Sequence, residues 1–472
     1  MALIFDESKY TVRTMEAEGQ RVTFRAFENI VCVERPVDPV YQAVSIYVPE
    51  CFYHGESVNG YDLHTAPILF ENNVGGFFPS ELRPPEQEMF GHTSTAFFAL
   101  LHGYVVATPA ARGRTNRTAD GRFYGKAPAG MVDLKAACRY LWANGARIPG
   151  DVRRMFSVGT SAGGGLSALL GTYDSDGDYE PLLKELGAAE APVRFLGIGC
   201  YCPVTDLEHA DAAYEWQFRG IYDYHRRHMR KDEGGRPHFS QEDGEMTPRQ
   251  AELSGELAQR FPEYVNSLGL TAPDGSPLQL DEGGFGPFRD YITGKLAQAA
   301  QKALDAGEPV EQPGVAVEDG KVVRVDFQAF MKGITRMKET PAFDDVSMHS
   351  FENNLFGDET TDNMHFSRFS LERSTSEAPK MADPTVLRMM NPLSYMKPGS
   401  ALAKHWRFRM GTNDRDVGFA TPAILALTLQ NLGCQVDYAL AWREPHGGDF
   451  DLPELFQWID AVVQADQGTD RM

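Results

Sequence analysis

The feature that most constrains the fold of this chain is a serine enclosed by glycines at residues 159–163, GTSAG. It lies between a short apolar run that predicts a β-strand (155–158) and an apolar run that favours a helix (166–170). The pattern fits G-x-S-x-G, a sharp strand-to-helix turn where flanking glycines remove Cβ atoms that would clash. Ser161 would then stand at a helix N-terminus, where free amide groups and the helix dipole favour developing negative charge.

Two other interpretations of this turn compete with a nucleophilic serine. A glycine-rich strand–helix turn can be purely structural, or it can hold a phosphate. The chain contains neither G-x-x-x-x-G-K-[S/T] nor G-x-G-x-x-G, which disfavours the phosphate site. The surrounding elements and the polar residues later in the chain favour the nucleophile.

The order of apolar runs predicts the fold class. Strands are expected at 42–49, 68–70, 103–109, 155–158 and 194–201, with a helix at 129–143. The pattern resumes near the C-terminus, with strands at 404–410 and 435–442 and helices at 422–432 and 452–463. Alternating strands and helices joined by short links are typical of an α/β protein with a mostly parallel, doubly wound sheet.

The sheet pattern is interrupted by a long segment of different composition. Residues 207–400 are rich in charge, Gln, Met and Phe and poor in strand-like runs. Helical stretches are expected at 250–259 and 288–306, and polar loops at 231–245 and 358–378. We therefore predict a large, mainly helical inserted lid domain (207–400) in a core formed by residues 1–206 and 401–472.

Charge and cysteine usage limit the possible partners. The formal net charge of −21 disfavours nucleic acid and anionic membranes as partners. No apolar run is long enough to span a membrane, and the N-terminus lacks the pattern of a signal peptide. The six cysteines are scattered without a C-x-x-C pair, which favours reduced thiols in a cytoplasmic protein. The oligomeric state is left open.

A histidine and an acid follow the last two predicted strands. Asp414 follows the strand at 404–410, and His446 follows the strand at 435–442. The chain order serine, acid, histidine is that of the α/β-hydrolase fold. A serine hydroxyl needs a histidine base, and a carboxylate orients that base. Because parallel strands end at one edge of the sheet, Ser161, Asp414 and His446 are expected to meet there.

The identity of the base is better determined than that of the acid. Of the 12 histidines, only His405 and His446 follow the insertion, and His405 lies inside a predicted strand. Position favours Asp414 as the acid, with Asp416, Asp449 and Asp451 as competing acids.

A glycine pair follows the predicted strand at 68–70. Gly75 and Gly76 would let the backbone approach the reacting carbonyl, although a tight turn is an equal alternative from these residues alone. The expected oxyanion donors are the backbone N–H of Ala162 and one from Gly75 or Gly76. This chemistry needs no metal or cofactor.

Five motifs taken together resemble one family. They are GTSAGGG (159–165), ENNVGG (71–76), YCPVTDL (201–207), GTNDRD (411–416) and EPHGGD (444–449). In this combination they are similar to bacterial tannases, tannin acyl hydrolases that cleave galloyl esters. The resemblance covers nearly the whole chain.

The resemblance implies specific roles. The triad of that family falls on Ser161, Asp414 and His446. Its contacts to the three galloyl hydroxyls are a lysine, a glutamate and an aspartate, which match Lys338, Glu352 and Asp416. Val204, just after a strand, would form an apolar wall of the ring site.

The resemblance implies a serine esterase that releases gallic acid from tannins and simple gallates through an acyl-enzyme. Another phenolic-ester hydrolase, such as a feruloyl esterase or a general carboxylesterase, is the nearest alternative. A hydrolase-fold binding protein without catalysis is the alternative from another class.

Overall fold

The structure is a computed structural model that describes residues 3–87, 92–231 and 237–469. Its strands are β1 (Thr11–Ala17), β2 (Gln20–Val31), β3 (Ala43–Pro49), β4 (Ile68–Asn72), β5 (Val105–Pro109), β6 (Met155–Thr160), β7 (Gly197–Tyr201), β8 (Asp223–Lys231), β9 (Pro237–Glu245), β10 (Val315–Glu318), β11 (Lys321–Val325), β12 (His405–Gly411) and β13 (Gln435–Ala441). Its α-helices are α1 (Thr95–Leu101), α2 (Ala129–Ala143), α3 (Ala162–Leu170), α4 (Asp176–Leu186), α5 (Leu207–Gln217), α6 (Pro248–Ser267), α7 (Pro287–Asp305), α8 (Phe327–Ile334), α9 (Phe351–Leu355), α10 (Arg368–Glu372), α11 (Pro384–Met389), α12 (Ala420–Asn431) and α13 (Leu452–Thr469).

A nine-stranded sheet forms the centre of the molecule. Its strand order is β1-β2-β3-β5-β4-β6-β7-β12-β13. The first three neighbouring pairs, from β1 to β5, are antiparallel, and every pair from β5 to β13 is parallel. Strands β3, β5, β7 and β12 are buried along their whole length, as expected for strands covered on both faces.

The predicted α/β class and mostly parallel sheet are confirmed. Each predicted strand is present, with ends that differ by three residues or fewer from the expected ones. The helix at 129–143 has the predicted bounds, and α7 and α12 begin and end within two residues of the expected positions.

The inserted segment contains two hairpins that the sequence pattern does not reveal. The prediction of a polar loop at 231–245 is wrong for residues 231 and 237–245, because they belong to β8 and β9, which pair as an antiparallel hairpin. Their sequences, DYHRRHMRK and PHFSQEDGE, lack the alternation of apolar and polar residues that marks a half-buried strand. The loop predicted at 358–378 is interrupted by α10. A second hairpin joins β10 and β11.

The segment between β7 and β12 packs directly on the sheet. Helix α5 packs against α12, and α7 lies against β13. Tyr291 of α7 stacks on Tyr438 of β13, with ring centroids 6.5 Å apart. The buried hydrophobic cluster runs without a break from the sheet into this segment.

A buried ion pair holds the segment together. Arg336 and Glu215 are both completely buried, and two hydrogen bonds of 2.6 and 2.9 Å join the guanidinium to the carboxylate. The hydroxyl of Thr340 donates to the same carboxylate at 2.7 Å. The Nε–H of Arg336 donates to the carbonyl oxygen of Lys338 at 2.7 Å. The pair therefore fixes the backbone that carries Lys338.

Replacing Glu215 by Gln should destabilise the protein, because Arg336 would keep a buried charge without its partner. We expect the free energy of unfolding to fall by about 3–5 kcal/mol, measured by urea denaturation. The matched control is Glu454→Gln in the pair Lys302–Glu454, whose side chains are 70% and 41% exposed. The control should change stability by less than about 1 kcal/mol. Equal effects of the two substitutions would contradict the importance of the buried pair.

Candidate active site

Ser161 occupies the turn between β6 and α3. Its backbone angles, φ 59° and ψ −123°, are strained for a residue with a side chain. Its N–H donates to the Tyr201 carbonyl at 2.9 Å, and its own carbonyl accepts from the Val204 N–H at 3.0 Å. These bonds to the end of β7 hold the strained turn, so the geometry is that of a nucleophile elbow.

The glycines of the turn are required by close backbone contacts. A Cβ on Gly159 would lie 2.5 Å from the Gly163 carbonyl oxygen, and one on Gly165 would lie 2.0 Å from that of Val204. The side chain of Asn72, at the end of β4, donates to the Gly163 carbonyl at 3.0 Å. The elbow therefore lies between the ends of β4 and β7, the strands on either side of β6.

His446 and Asp414 form a hydrogen-bonded pair. The Nδ1 of His446 lies 2.8 Å from Oδ2 of Asp414, which is fully buried. The other carboxylate oxygen accepts from the N–H groups of Asp416 and Val417 at 2.9 and 3.0 Å. The carboxylate is thus fixed on both oxygens and orients the imidazole.

The outer nitrogen of this histidine is free to take a proton. Among the residues that the structure describes, His446 Nε2 is buried and has no hydrogen-bond partner. Since Nδ1 faces the Asp414 carboxylate, the favoured tautomer carries its proton there and leaves a lone pair on Nε2. Burial would lower the pKa of His446, but Asp414 and Asp416 raise it well above its usual value.

The three catalytic candidates lie on segments that touch. A Cβ on Gly448, two residues after His446, would lie 1.9 Å from the hydroxyl oxygen of Thr160, which precedes Ser161. A Cβ on Gly411, at the end of β12, would lie 2.0 Å from the Glu444 carbonyl oxygen. The structure therefore brings the serine, acid and histidine segments to the same edge of the sheet.

The competing acids are placed differently from Asp414. Asp451 accepts from the Tyr201 hydroxyl at 2.6 Å and pairs with the guanidinium groups of Arg407 and Arg409. Asp416 Oδ2 lies 3.6 Å from His446 Nε2, on the opposite side of the ring from Asp414. Burial raises the pKa of Asp449. The geometry favours Asp414 as the orienting acid.

The glycine loop after β4 lies against the elbow. A Cβ on Gly163 would lie 2.9 Å from the carbonyl oxygen of Val74, which directly precedes Gly75. The carbonyl of Gly75 accepts from the Phe78 N–H at 3.0 Å, and that of Gly76 accepts from Arg114 Nε at 2.9 Å. Ala162 is the first residue of α3, where N–H groups lack intrahelical partners. These positions suit a pair of oxyanion donors.

Lys338, Glu352 and Asp416 form a charged cluster beside His446. The Nζ of Lys338 lies 2.5 Å from Oδ1 of Asp416 and 4.0 Å from the centroid of the Phe343 ring. Glu352 is buried and interacts electrostatically with the other two charges. The structure thus brings together three residues that lie far apart in the sequence.

The charges in the cluster depend on one another. Burial would raise the pKa of Asp416, but Lys338 and His446 lower it to about 2. Burial would lower the pKa of Lys338, but Asp416 and Glu352 raise it above its usual value. Burial raises the pKa of Glu352, and Lys338 opposes that shift. The cluster therefore offers an ammonium donor, one firmly ionised carboxylate and one carboxyl group that is protonated more easily.

A tyrosine missed by the sequence analysis connects this cluster to the catalytic loop. The Tyr214 hydroxyl accepts from the N–H groups of Met337 and Lys338, both at 3.2 Å. It donates to the carbonyl of Arg415, between Asp414 and Asp416, at 2.7 Å. Tyr214 lies inside helix α5, where no local sequence pattern marks it.

Glu352 is positioned by its own helix. Ser350 caps the N-terminus of α9 in a capping box with Asn353. The Asn353 side chain donates to the buried carboxylate of Asp344 at 2.7 Å. Val204, the predicted apolar wall, is 9% exposed and bonded to the elbow through its N–H.

One group of side chains in the described part of the chain has the spacing of metal ligands. The ligand atoms of Cys202, Asp414 and His446 lie within 4.8 Å of one another. Two of the three form the acid–base pair, so a soft cation at this position would compete with the Asp414–His446 hydrogen bond. Among the described helices, none combines the length and apolar character needed to cross a bilayer.

Solved structures identify the family. Tannase from Lactobacillus plantarum is 43% identical to this chain, with a TM-score of 0.93, over 98% of this chain and 100% of that one. The chain belongs to the bacterial tannase family. Tannase from Fusobacterium nucleatum is 41% identical, with a TM-score of 0.93, over 98% of this chain and all of that one.

Other relatives place this tannase among carboxylic ester hydrolases. A tannin acyl hydrolase in complex with ethyl gallate is 43% identical, with a TM-score of 0.91, over 98% of this chain and 99% of that one. The family model BD-FAE matches residues 84–219. The carboxylesterase NlhH of Mycobacterium tuberculosis is 30% identical over 99 residues, which are 20% of this chain and 31% of that enzyme. The predicted fold, family and enzyme class are confirmed.

The contact between Asp416 and His446 predicts a change in pH dependence. As the candidate base, His446 must be neutral to accept a proton, so its raised pKa should move the loss of kcat/KM on acidification to higher pH. Removing the Asp416 charge by Asp416→Asn should lower the pKa of His446. The acidic limb of the pH profile should then shift to lower pH.

This shift is measured with p-nitrophenyl acetate, which has no phenolic hydroxyls for Asp416 to bind. Asp120→Asn is the control, because Asp120 is exposed and pairs with Arg122. An acidic limb that is unchanged in the Asp416→Asn variant would show that this carboxylate does not act on His446.

Proposed function

We propose that this tannase hydrolyses galloyl esters through an acyl-enzyme, with Ser161, His446 and Asp414 as its catalytic residues. His446 Nε2 takes the proton of the Ser161 hydroxyl as the serine oxygen attacks the ester carbonyl. Asp414 holds the tautomer and stabilises the imidazolium. The observation that carries this assignment is the 2.8 Å hydrogen bond between His446 Nδ1 and the buried Asp414 carboxylate, on segments that lie against the elbow.

The collapse of the first tetrahedral intermediate releases the alcohol. His446 returns its proton to the leaving alcohol oxygen, and the galloyl group stays on Ser161. Water, deprotonated by His446, then attacks the acyl-enzyme and releases gallate. The N–H groups of Ala162 and of Gly75 or Gly76 stabilise the oxyanion in both halves of the reaction.

Lys338, Glu352 and Asp416 select the acyl group. An ammonium donates to phenolic oxygens, and carboxylates accept from phenolic O–H groups. A ring without hydroxyls would cover the Lys338–Asp416 pair and Glu352 without replacing the hydrogen bonds that these groups make to water, so it should be rejected. A tannin acyl hydrolase that is 42% identical to this chain has a solved complex with 3,4-dihydroxybenzoate, a ring with two adjacent hydroxyls. Val204 would form the apolar wall of the ring site.

The inserted segment supplies two of the three selecting residues. Lys338 and Glu352 lie between β7 and β12, whereas Asp416 follows β12. We propose that residues 207–400 act as a lid domain on a core of residues 1–206 and 401–472. A cytoplasmic location and the absence of nucleic-acid, membrane, metal and cofactor partners stay predictions from the sequence.

A broad carboxylesterase is the second candidate function, since 99 residues of this chain are 30% identical to the carboxylesterase NlhH. Relative kcat/KM values for methyl gallate, methyl ferulate and methyl benzoate separate the two candidates. Comparable values for all three esters would favour the broad esterase and remove the selecting role of the charged cluster.

Ser161→Ala should abolish hydrolysis, because no other group can form the acyl-enzyme. We expect kcat for methyl gallate to fall on the order of 10⁴–10⁶-fold. Ser276→Ala, at an exposed serine of the inserted segment, is the control and should have wild-type activity. A Ser161→Ala enzyme with near wild-type turnover would disprove the mechanism.

Lys338→Met should separate recognition from chemistry. Loss of one charge-assisted contact should lower kcat/KM for methyl gallate by about 10- to 100-fold. The value for methyl benzoate should change by less than about threefold, because that ring has no hydroxyl for the ammonium. Lys332→Met, at an exposed lysine of α8, is the control. Equal losses on both esters would mean that Lys338 has a structural role only.

A further inference from the structure

Two phenylalanine side chains beside the candidate active site are exposed to solvent. Phe78 is 38% exposed and Phe351 is 54% exposed. Their rings contact each other edge to face, with centroids 5.5 Å apart and planes at 72°. Among the described residues, three phenylalanines are this exposed, and these two are the only ones that touch each other.

A buried arginine holds both rings in place. The Cζ of Arg114 lies 3.9 Å from the centroid of Phe78 and 4.2 Å from that of Phe351. Its guanidinium is bonded to the Gly76 carbonyl and to the side-chain oxygen of Asn354, both at 2.9 Å. Arg114 is only 5% exposed, so it covers the inner side of each ring and leaves the outer surface open.

The ring pair adjoins both parts of the proposed ester site. A Cβ on Gly76, a candidate oxyanion donor, would lie 3.3 Å from the Phe78 ring and 3.6 Å from the Phe351 ring. Phe351 directly precedes Glu352, a candidate contact of the galloyl hydroxyls. The exposed rings therefore lie at the edge of the site, next to the expected position of the scissile carbonyl.

The polar cluster and the rings differ in what they can bind. Lys338, Glu352 and Asp416 are charged and suit a ring edge that carries hydroxyls. The outer surfaces of Phe78 and Phe351 have no polar atom and suit the face of a ring. If the hydroxyls of the acyl ring bind the charged cluster, Phe78 and Phe351 are available to the alcohol portion of the ester.

We propose that Phe78 and Phe351, supported by Arg114, form a second subsite for an aromatic ring in the alcohol portion of the ester. This inference rests on the proposed galloyl esterase function. The guanidinium withdraws electron density from the two phenyl rings, which favours contact with an electron-rich ring such as a polyphenol. Galloyl groups esterified to another phenolic ring carry such a ring on the leaving alcohol.

The subsite is tested with benzyl gallate and methyl gallate, which share the acyl group and differ by a ring on the alcohol. The wild-type enzyme should have the higher kcat/KM for benzyl gallate. Phe78→Ala and Phe351→Ala should each lower kcat/KM for benzyl gallate by up to about tenfold, mainly through KM. Their kcat/KM for methyl gallate should stay within about twofold of wild type.

Two further variants make the result specific. Phe351→Tyr keeps a ring and should retain the preference for benzyl gallate. Phe285→Ala is the matched control, because Phe285 is 56% exposed and lies 4.6 Å from the guanidinium carbon of Arg289. It should leave both values unchanged.

Three outcomes would overturn the subsite. Unchanged values for benzyl gallate in both alanine variants would show that the rings do not bind the alcohol. Equal losses on both esters would place the rings against the acyl group or show a structural role. A wild-type enzyme that hydrolyses neither gallate would overturn the proposed function, and the subsite with it.

Discussion

The ion pair between Lys338 and Asp416 joins the charged cluster to the turn that carries Asp414. It joins the inserted segment to the loop after β12, and no other direct salt bridge in the described chain connects the acyl-selecting residues. The Asp416 carboxylate also lies 3.6 Å from His446 Nε2, and its N–H donates to Asp414. In the proposed reaction, recognition of the acyl ring and orientation of the base therefore both involve the turn at 414–416.

The surrounding polar network is built to hold that turn against the inserted segment. The Tyr214 hydroxyl is bonded to the backbone of Lys338 and to that of Arg415, next to Asp416. The buried Arg336–Glu215 pair fixes the backbone segment that carries Lys338. A lone buried charge is unfavourable, whereas a paired and hydrogen-bonded charge has a defined position. Because burial of each charge is unfavourable without its partner, pairing restricts each group to one position.

Local patterns predicted the parts of the fold that are governed by periodicity. The strands from β3 to β7, β12 and β13 follow from apolar runs, and the elbow follows from glycines that close contacts require. The strands β8 and β9 escaped prediction, because hairpin pairing of polar residues leaves no apolar alternation. The roles of Tyr214 and Phe78 were not predicted either, because their partners Lys338 and Phe351 lie more than 100 residues away in the sequence.

The candidate site was predictable only in part for the same reason. Ser161, Asp414 and His446 each follow the end of a strand, and the parallel sheet places those strand ends at one edge. Lys338 and Glu352 have no such mark, and their selection came from a family resemblance. Their proximity to Asp416 is a property of the folded chain, which a charge pattern in the sequence does not encode.

The shared turn has a consequence for how this enzyme can acquire new substrates. Mutations at Asp416 that admit a different acyl group also alter the electrostatic surroundings of the general base, so most such changes would lower activity on every ester. Glu352 interacts electrostatically with Lys338 and Asp416, and its charge is not among those that raise the pKa of His446. Changes of substrate specificity should therefore be tolerated better in helix α9 and at Phe78 and Phe351 than in the turn at 414–416.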